Sequence, residues 1–135
     1  MPAAPLLTDG DLTFRDLNKN GRLDPYEDPR RPIEERVEDL LAQMTLEEKV
    51  GLMFHTMIPM NPDGSLMEGQ GTFGPFSTSE MVGTRLLNHF NVLQGTDPRR
   101  MAEWYNRLQT LAEGTRLGIP VTISTDPRHA FSDNP

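Results

Sequence analysis

Phe90-Asn91-Val92-Leu93, then the pair Asp97-Pro98, then Met101, Trp104, Leu108 and Leu111 at helical spacing, and finally Ile119-Pro120-Val121-Thr122-Ile123-Ser124 decide the fold. The first run is short, apolar and of high β-propensity, so it is expected as a buried strand. Asp97 fits a helix N-cap and Pro98 the first helical position, where its missing N–H costs nothing. The helix they open is expected to end near Gly118, and the β-branched run after it to be a second strand. Upstream, Val50 to Ile58 is apolar enough to hold another strand, and Ser77-Thr78-Ser79-Glu80 offers a capping box before Met81, Val82, Leu86 and Leu87. Strand, helix, strand, helix, strand with short links is the pattern of parallel βα units, so the fold class expected is α/β.

Working toward the N-terminus, Ile33, Val37, Leu40, Leu41 and Met44 recur at helical spacing, with Glu34, Glu35, Glu38 and Asp39 between them. Thr45-Leu46-Glu47-Glu48 then fits a capping box that starts a second helix. Before them lie the Pro-bounded linker 28–32, an acidic Asn-rich loop at 16–27 and a Pro/Gly/Asp-rich lead, Met1 to Phe14, expected to be irregular. Pro59 to Pro75 reads as a long Gly/Pro-rich loop. Two regions follow: an irregular lead over 1–32 with an EF-hand-like loop, and a βα-unit region over 33–135. The triplets at Asp28, Asp97 and Asp126, each Asp-Pro-Arg, are unequally spaced and read as recurring turn or cap chemistry.

Composition removes several function classes. Among 135 residues the net charge is −7, and no basic run exceeds Arg30-Arg31 or Arg99-Arg100, so no electropositive footprint for nucleic acid is present. No apolar run approaches the roughly 20 residues of a membrane helix, and the first residues lack the pattern of an export signal. The chain reads as soluble. With no cysteine there is no disulfide, thiolate metal site or Cys nucleophile. The histidines His55, His89 and His129 have no i, i+4 partner, and G-x-S-x-G is missing, so zinc and serine hydrolase chemistry is not expected. Gly69-Gln70-Gly71-Thr72-Phe73-Gly74 matches G-x-G-x-x-G literally, but no strand precedes it and Pro75 follows, so the phosphate cradle has no frame.

The strongest local motif runs from Asp16 to Glu27 and satisfies D-x-[DN]-x-[DN]-G-x5-E at every fixed position. A hard cation takes six to eight oxygens. Here Asp16, Asn18 and Asn20 would offer side-chain oxygens, Gly21 the sharp turn, Arg22 its backbone carbonyl, Asp24 a water-bridged oxygen, and Glu27 two oxygens that close the shell. A structural calcium ion is therefore expected, although no helix precedes Asp16. Asx-turns solvated by water are the alternative for the same loop. The remaining candidate is Asp126, placed where a parallel strand ends, because ligands of α/β barrels and open sheets bind at the carboxyl ends of strands. Arg128 and His129 follow closely, and a plain N-cap competes for Asp126. Trp104 is expected in the core.

Three groups of residues resemble glycoside hydrolase family 3 in the same order: Tyr26-Glu27-Asp28-Pro29 with Glu35 to Leu41 and Met44 to Gly51; Asn106-Arg107-Leu108-Gln109 with Thr115 to Pro120; and Asp126-Pro127-Arg128-His129. The resemblance runs from about Phe14 to the end of the chain. It implies the first βα units of a (β/α)8-type barrel, incomplete because a whole barrel needs about 250 residues. It also implies a retaining exo-acting β-glycosidase of the β-glucosidase type, acting on a β-glucoside or oligosaccharide. By the same resemblance Asp126 matches the aspartate that hydrogen-bonds sugar hydroxyls in the −1 subsite, and His129 the histidine of D-x-x-H, where Ala130 stands in place of a frequent glycine. The family's nucleophile and acid/base lie further downstream, so no catalytic carboxylate is assigned here and the chain alone is expected to be inactive. No cofactor is implied for catalysis. Family members are often periplasmic or secreted, which leaves the compartment open. The alternative is a small non-catalytic calcium-dependent binding module, which would have no use for Asp126 at a sheet edge.

Overall fold

The computed structural model describes residues 3–69, 76–92 and 95–125. Asp126, Arg128 and His129, Leu93, and the glycine-rich motif beyond Gly69 lie outside the described residues. A hairpin comes first, β1 (Leu6–Asp9) with β2 (Leu12–Arg15), followed by a short 3-10 turn, Pro25–Glu27. Then come α1 (Ile33–Gln43), α2 (Leu46–Leu52), β3 (His55–Ile58), α3 (Thr78–Gly83), β4 (His89–Val92), α4 (Pro98–Glu113) and β5 (Thr122–Ser124).

The alternation expected from the sequence is present. β3, β4 and β5 form one sheet in that order, both pairings parallel, with His55 opposite His89 and His89 opposite Thr122. Side chains alternate across a strand. Ile58, Phe90, Val92 and Ile123 therefore share the face that packs on the helices, and His55, Met57, His89, Asn91, Thr122 and Ser124 share the other. The apolar face meets Trp104, Leu108 and Ala112, spaced four residues apart along α4, with Met81 and Val82 of α3 closing the side. Full burial of each large side chain is worth roughly 1.5–3 kcal/mol, so this seam is the main stabilising element. Trp104 is in the core as expected, 1% exposed.

The caps follow the expectations closely. Thr45 and Glu48 form a reciprocal capping box at the start of α2. At α3 only half of the expected box forms: Ser77 accepts from the Glu80 amide at 3.1 Å, while the Glu80 carboxylate accepts from Arg85; Asp97 caps α4 by accepting from the Arg100 amide at 3.2 Å. Two glycines are set by geometry. A Cβ on Gly51 would lie 2.2 Å from the Leu86 carbonyl oxygen, and Gly118, at φ +59°, sits against Leu17. Leu86 itself has φ +60°, so the chain turns out of α3 there and the helix ends at Gly83, short of the Leu86 and Leu87 expected in it.

Other boundaries and one burial pattern also differ. The lead is not irregular, because Gly10-Asp11 makes a two-residue turn, with Gly10 at φ +58°, that joins β1 to β2. α4 stops at Glu113 rather than near Gly118, and only Thr122–Ser124 of the expected last strand pairs. The amphipathic stripe of α1 is largely uncovered: Ile33, Val37 and Leu41 are exposed and Leu40 is half-buried, and only Met44, at the C-cap, is buried. The 59–69 stretch is tied back on itself by a Met60–Leu66 bridge and the Asn61–Ser65 turn.

Candidate functional site

Parallel pairing places the carboxyl ends of β3, β4 and β5 along one edge, at Ile58, Val92 and Ser124. Asp126 follows Ser124 by two positions in the sequence, so the strand that leads to it is the third of the sheet. On the open face His55 Nε2 and Ser124 Oγ lie 2.7 Å apart across the middle strand. At the opposite, amino end a cleft of about 320 Å³ is lined by Leu52, Met53, Phe54, His55, His89, Thr122 and Ser124. Along β5 it reaches Ser124, the last residue of that strand.

The second candidate is the loop at 16–27. Asp16 is 2% exposed, and its two carboxylate oxygens accept from the Asn20 amide at 3.0 Å and the Gly21 amide at 2.9 Å. Gly21 adopts φ +83°, the sharp turn that the spacing requires. Asn18 Oδ1 accepts from the Asn20 amide and Asn20 Oδ1 from the Arg22 amide, two successive Asx-turns. Glu27 reaches back across the loop, accepting from the amides of Leu17 at 2.6 Å, Asn18 at 3.3 Å and Asp24 at 3.1 Å. The side-chain amides of Asn18 and Asn20 both converge on Asp24 Oδ2, at 2.6 and 2.5 Å. Among the described residues no group of three or more His, Cys, Asp or Glu side chains is gathered for a metal ion. In the loop the carboxylates of Asp16 and Glu27 are committed to amides, while the asparagines meet at Asp24.

Around this loop lies a set of contacts that the sequence did not announce. Lys19, at φ +60°, donates from Nζ to the carbonyls of Leu17, Glu113 and Thr115. Burial lowers the pKa of its ammonium despite the nearby carboxylates of Asp16, Glu113 and Glu27. Tyr26 donates its hydroxyl to the Leu117 carbonyl at 3.2 Å, and burial, reinforced by Glu27, pushes its phenol well above the ordinary range. Arg15 pairs with Glu113 at 3.3 Å. Arg116 grips Glu48 with two nitrogens, Nε at 2.9 Å from Oε1, and donates to the Gln43 carbonyl at 2.8 Å. Burial raises the Glu48 carboxyl, but the hydrogen bonds from Arg116 and the Thr45 amide outweigh it and hold it below its ordinary value.

The long-range contacts among these all involve residues 113–117, the last residue of α4 and the start of the connection to β5. The loop is therefore a buckle that fastens the N-terminal segment to the connection that delivers β5. The one local hint in the sequence was the turn-forming run Asn18-Lys19-Asn20-Gly21. Nothing near Arg116 or Tyr26 signals a partner, because those partners are separated from them by 68 and 91 positions.

Among curated proteins, "Periplasmic beta-glucosidase/beta-xylosidase" of Dickeya chrysanthemi is 49% identical over 130 residues, covering 95% of this chain and 19% of that protein. The chain is homologous to β-glucosidases over most of its length. "Probable beta-glucosidase C" of Aspergillus oryzae is 50% identical over 110 residues, covering 81% of this chain and 17% of its own length. "Beta-glucosidase C" of Emericella nidulans is 41% identical over 120 residues, covering 88% and 18%. These relationships agree with the glycoside hydrolase family 3 resemblance of the N-terminal part. No protein-family model matches the chain. The chain spans less than a fifth of the length of these relatives. Nothing indicates nucleic acid or a membrane as partner, and no helix among the described residues is long and apolar enough to cross a bilayer.

Proposed function

We propose that this chain supplies the opening βα units of a (β/α)8-type barrel in a retaining exo-β-glycosidase of glycoside hydrolase family 3, acting on β-glucosides or related oligosaccharides. The observation that carries this reading is the parallel sheet β3-β4-β5, whose third strand ends at Ser124, two positions before Asp126. A binding module with no barrel has no need of such an edge.

Retaining glycosidases use a nucleophilic carboxylate and a carboxylic acid about 5 Å apart, on either side of an oxocarbenium-like transition state. Neither group is assigned to this chain. The role proposed for Asp126 is to accept hydrogen bonds from sugar hydroxyls in the −1 subsite. Such bonds tighten as the ring distorts, so they are stronger in the transition state than in the ground state and raise kcat as well as affinity. His129 is proposed as a structural hydrogen-bonding group beneath Asp126. With neither reacting carboxylate assigned to it, the 135-residue chain by itself is expected to show no hydrolysis.

For the loop we propose a structural calcium ion held by Asp16, Asn18, Asn20, the Arg22 carbonyl, Asp24 and Glu27. Support comes from the spacing and from the Gly21 turn. The ion would supply fixed positive charge to the buckle and would take no part in the reaction.

The functional reading is tested with a chimera in which this chain replaces the matching stretch of the Dickeya relative. Hydrolysis of an aryl β-glucoside by the chimera, with none by the 135-residue chain alone, is the expected result. A folded chimera that leaves the glycoside intact contradicts the reading.

A further inference from the structure

Asn20-Gly21 is the only Asn-Gly pair in the chain, and both residues are exposed. An asparagine followed by glycine can lose its side-chain amide without an enzyme, because no Cβ on the next residue obstructs ring closure between the glycine nitrogen and the asparagine Cγ. The other described asparagines are followed by Lys19, Pro62, His89, Val92 and Arg107, so each has a bulkier neighbour or, at Pro62, one with no N–H. The loop also holds all three groups of that reaction. The nucleophile is the Gly21 nitrogen, whose N–H donates to Asp16 Oδ2 at 2.9 Å, a carboxylate placed to take the proton. Asp16 is buried and its other oxygen accepts from the Asn20 amide at 3.0 Å, which fixes that base relative to Gly21. The oxygen that gains negative charge is Asn20 Oδ1, and it accepts from the Arg22 amide at 3.0 Å, as in an oxyanion hole. The leaving nitrogen, Asn20 Nδ2, donates to Asp24 Oδ2.

We propose that Asn20 is a site of self-modification, at which the fold promotes conversion through a succinimide to an aspartyl or isoaspartyl residue. The Gly21 nitrogen bonds to Asn20 Cγ as its proton passes to Asp16 Oδ2, and the Cγ–Nδ2 bond then breaks. Nδ2 leaves as ammonia, carrying that proton after relay through solvent. Water adds to either carbonyl of the ring and opens it to a normal backbone or to one longer by a methylene. The balance is one water in and one ammonia out, so the step needs neither oxidant nor cofactor. The product alters the loop. At position 20 an anionic oxygen then stands where Nδ2 donated, and two carboxylates face each other at Asp24 in place of a hydrogen bond. The inference depends neither on the glycosidase reading nor on an ion in the loop.

The test incubates the 135-residue chain with chelator at neutral pH, native in one arm and unfolded in guanidinium in the other. The peptide that holds Asn20 is followed by mass spectrometry for the gain of amide-to-acid conversion. The native chain is expected to convert Asn20 roughly tenfold faster than the unfolded one, because base and oxyanion donor are in place only in the fold. Asn106, followed by Arg107 within α4, should stay unconverted in both arms. Asp16→Asn keeps the size of the side chain but not its basicity, and should bring the native rate down to the unfolded one while leaving the circular dichroism spectrum unchanged. A native rate at or below the unfolded rate overturns the proposal, since the same hydrogen bonds would then be shielding Asn20. A folded Asp16→Asn chain that converts as fast as the parent overturns it too. Should Asp16→Asn fail to fold, the comparison of native and unfolded parent decides the matter without it.

Discussion

Arg116 and Glu48 lie 68 positions apart in sequence, yet the guanidinium clasps both oxygens of the carboxylate and so joins the start of α2 to the connection that delivers β5. Arg116→Ala leaves a buried carboxylate with only the capping contacts of Thr45. Charge-assisted hydrogen bonds contribute roughly 1.5–3 kcal/mol, so a loss of that order in urea unfolding is expected. The clasp also sets a pH dependence. Folding lowers the Glu48 carboxyl below its ordinary 4.5, and Arg30, which forks onto Asp28 at 2.8 and 2.9 Å, lowers that carboxyl to about 2. A carboxyl lowered by folding stabilises fully above its unfolded pKa and ceases to do so as pH falls through its folded one. The contribution of these two carboxyls should therefore be constant above about pH 5 and fall between pH 4 and pH 2, with a shallower fall in Arg116→Ala.

Tyr26→Phe removes the single side-chain donor to the Leu117 carbonyl. A cost of about 1 kcal/mol is expected, measured as a lower urea midpoint at unchanged slope. In alkaline spectrophotometric titration the Tyr26 phenol should ionise only together with unfolding, because burial holds it far above the usual range.

Gly51→Ala would drive a methyl group into the Leu86 backbone, since the added Cβ lies 2.2 Å from the carbonyl oxygen. Backbone cannot step aside as a side-chain tip can, so destabilisation of about 1–3 kcal/mol is expected by thermal melting. The neighbouring Val50→Ala change, on the exposed side of α2, should stay within about 0.5 kcal/mol of the parent.

Calcium should raise the melting temperature if the 16–27 loop takes the ion, by an amount equivalent to roughly 2.7 kcal/mol at a hundredfold excess over the dissociation constant. Asp16→Ala should abolish the response and lower stability without calcium too, because Asp16 also accepts from the Asn20 and Gly21 amides. A melting curve indifferent to calcium and chelator would leave the loop as a hydrogen-bonded buckle only.

What the sequence made legible was local. The Asp97-Pro98 start, the Trp104 and Leu108 stripe and the Thr45 capping box each act within one helix, and each is where it was expected. The hairpin β1–β2 went unread although Gly10-Asp11 is a recognised hairpin turn, because strands with little burial show no apolar alternation. The end of α3 depends on the close approach of Leu86 to Gly51, and the grip of Lys19 on Thr115 spans 96 positions. Contacts of that range leave no mark in a window of neighbouring residues. The apolar stripe of α1 was read correctly as amphipathic, but amphipathicity alone says nothing about whether a partner surface lies within these residues.

The central claim is tested most directly by kinetics of the chimera with the Dickeya relative, carrying either the native Asp126 or Asp126→Asn. If Asp126 holds sugar hydroxyls in the transition state, aryl β-glucoside hydrolysis should lose kcat/KM by about a hundredfold or more, most of it in kcat, with the melting temperature little changed. Equal activity of the two chimeras would contradict the account.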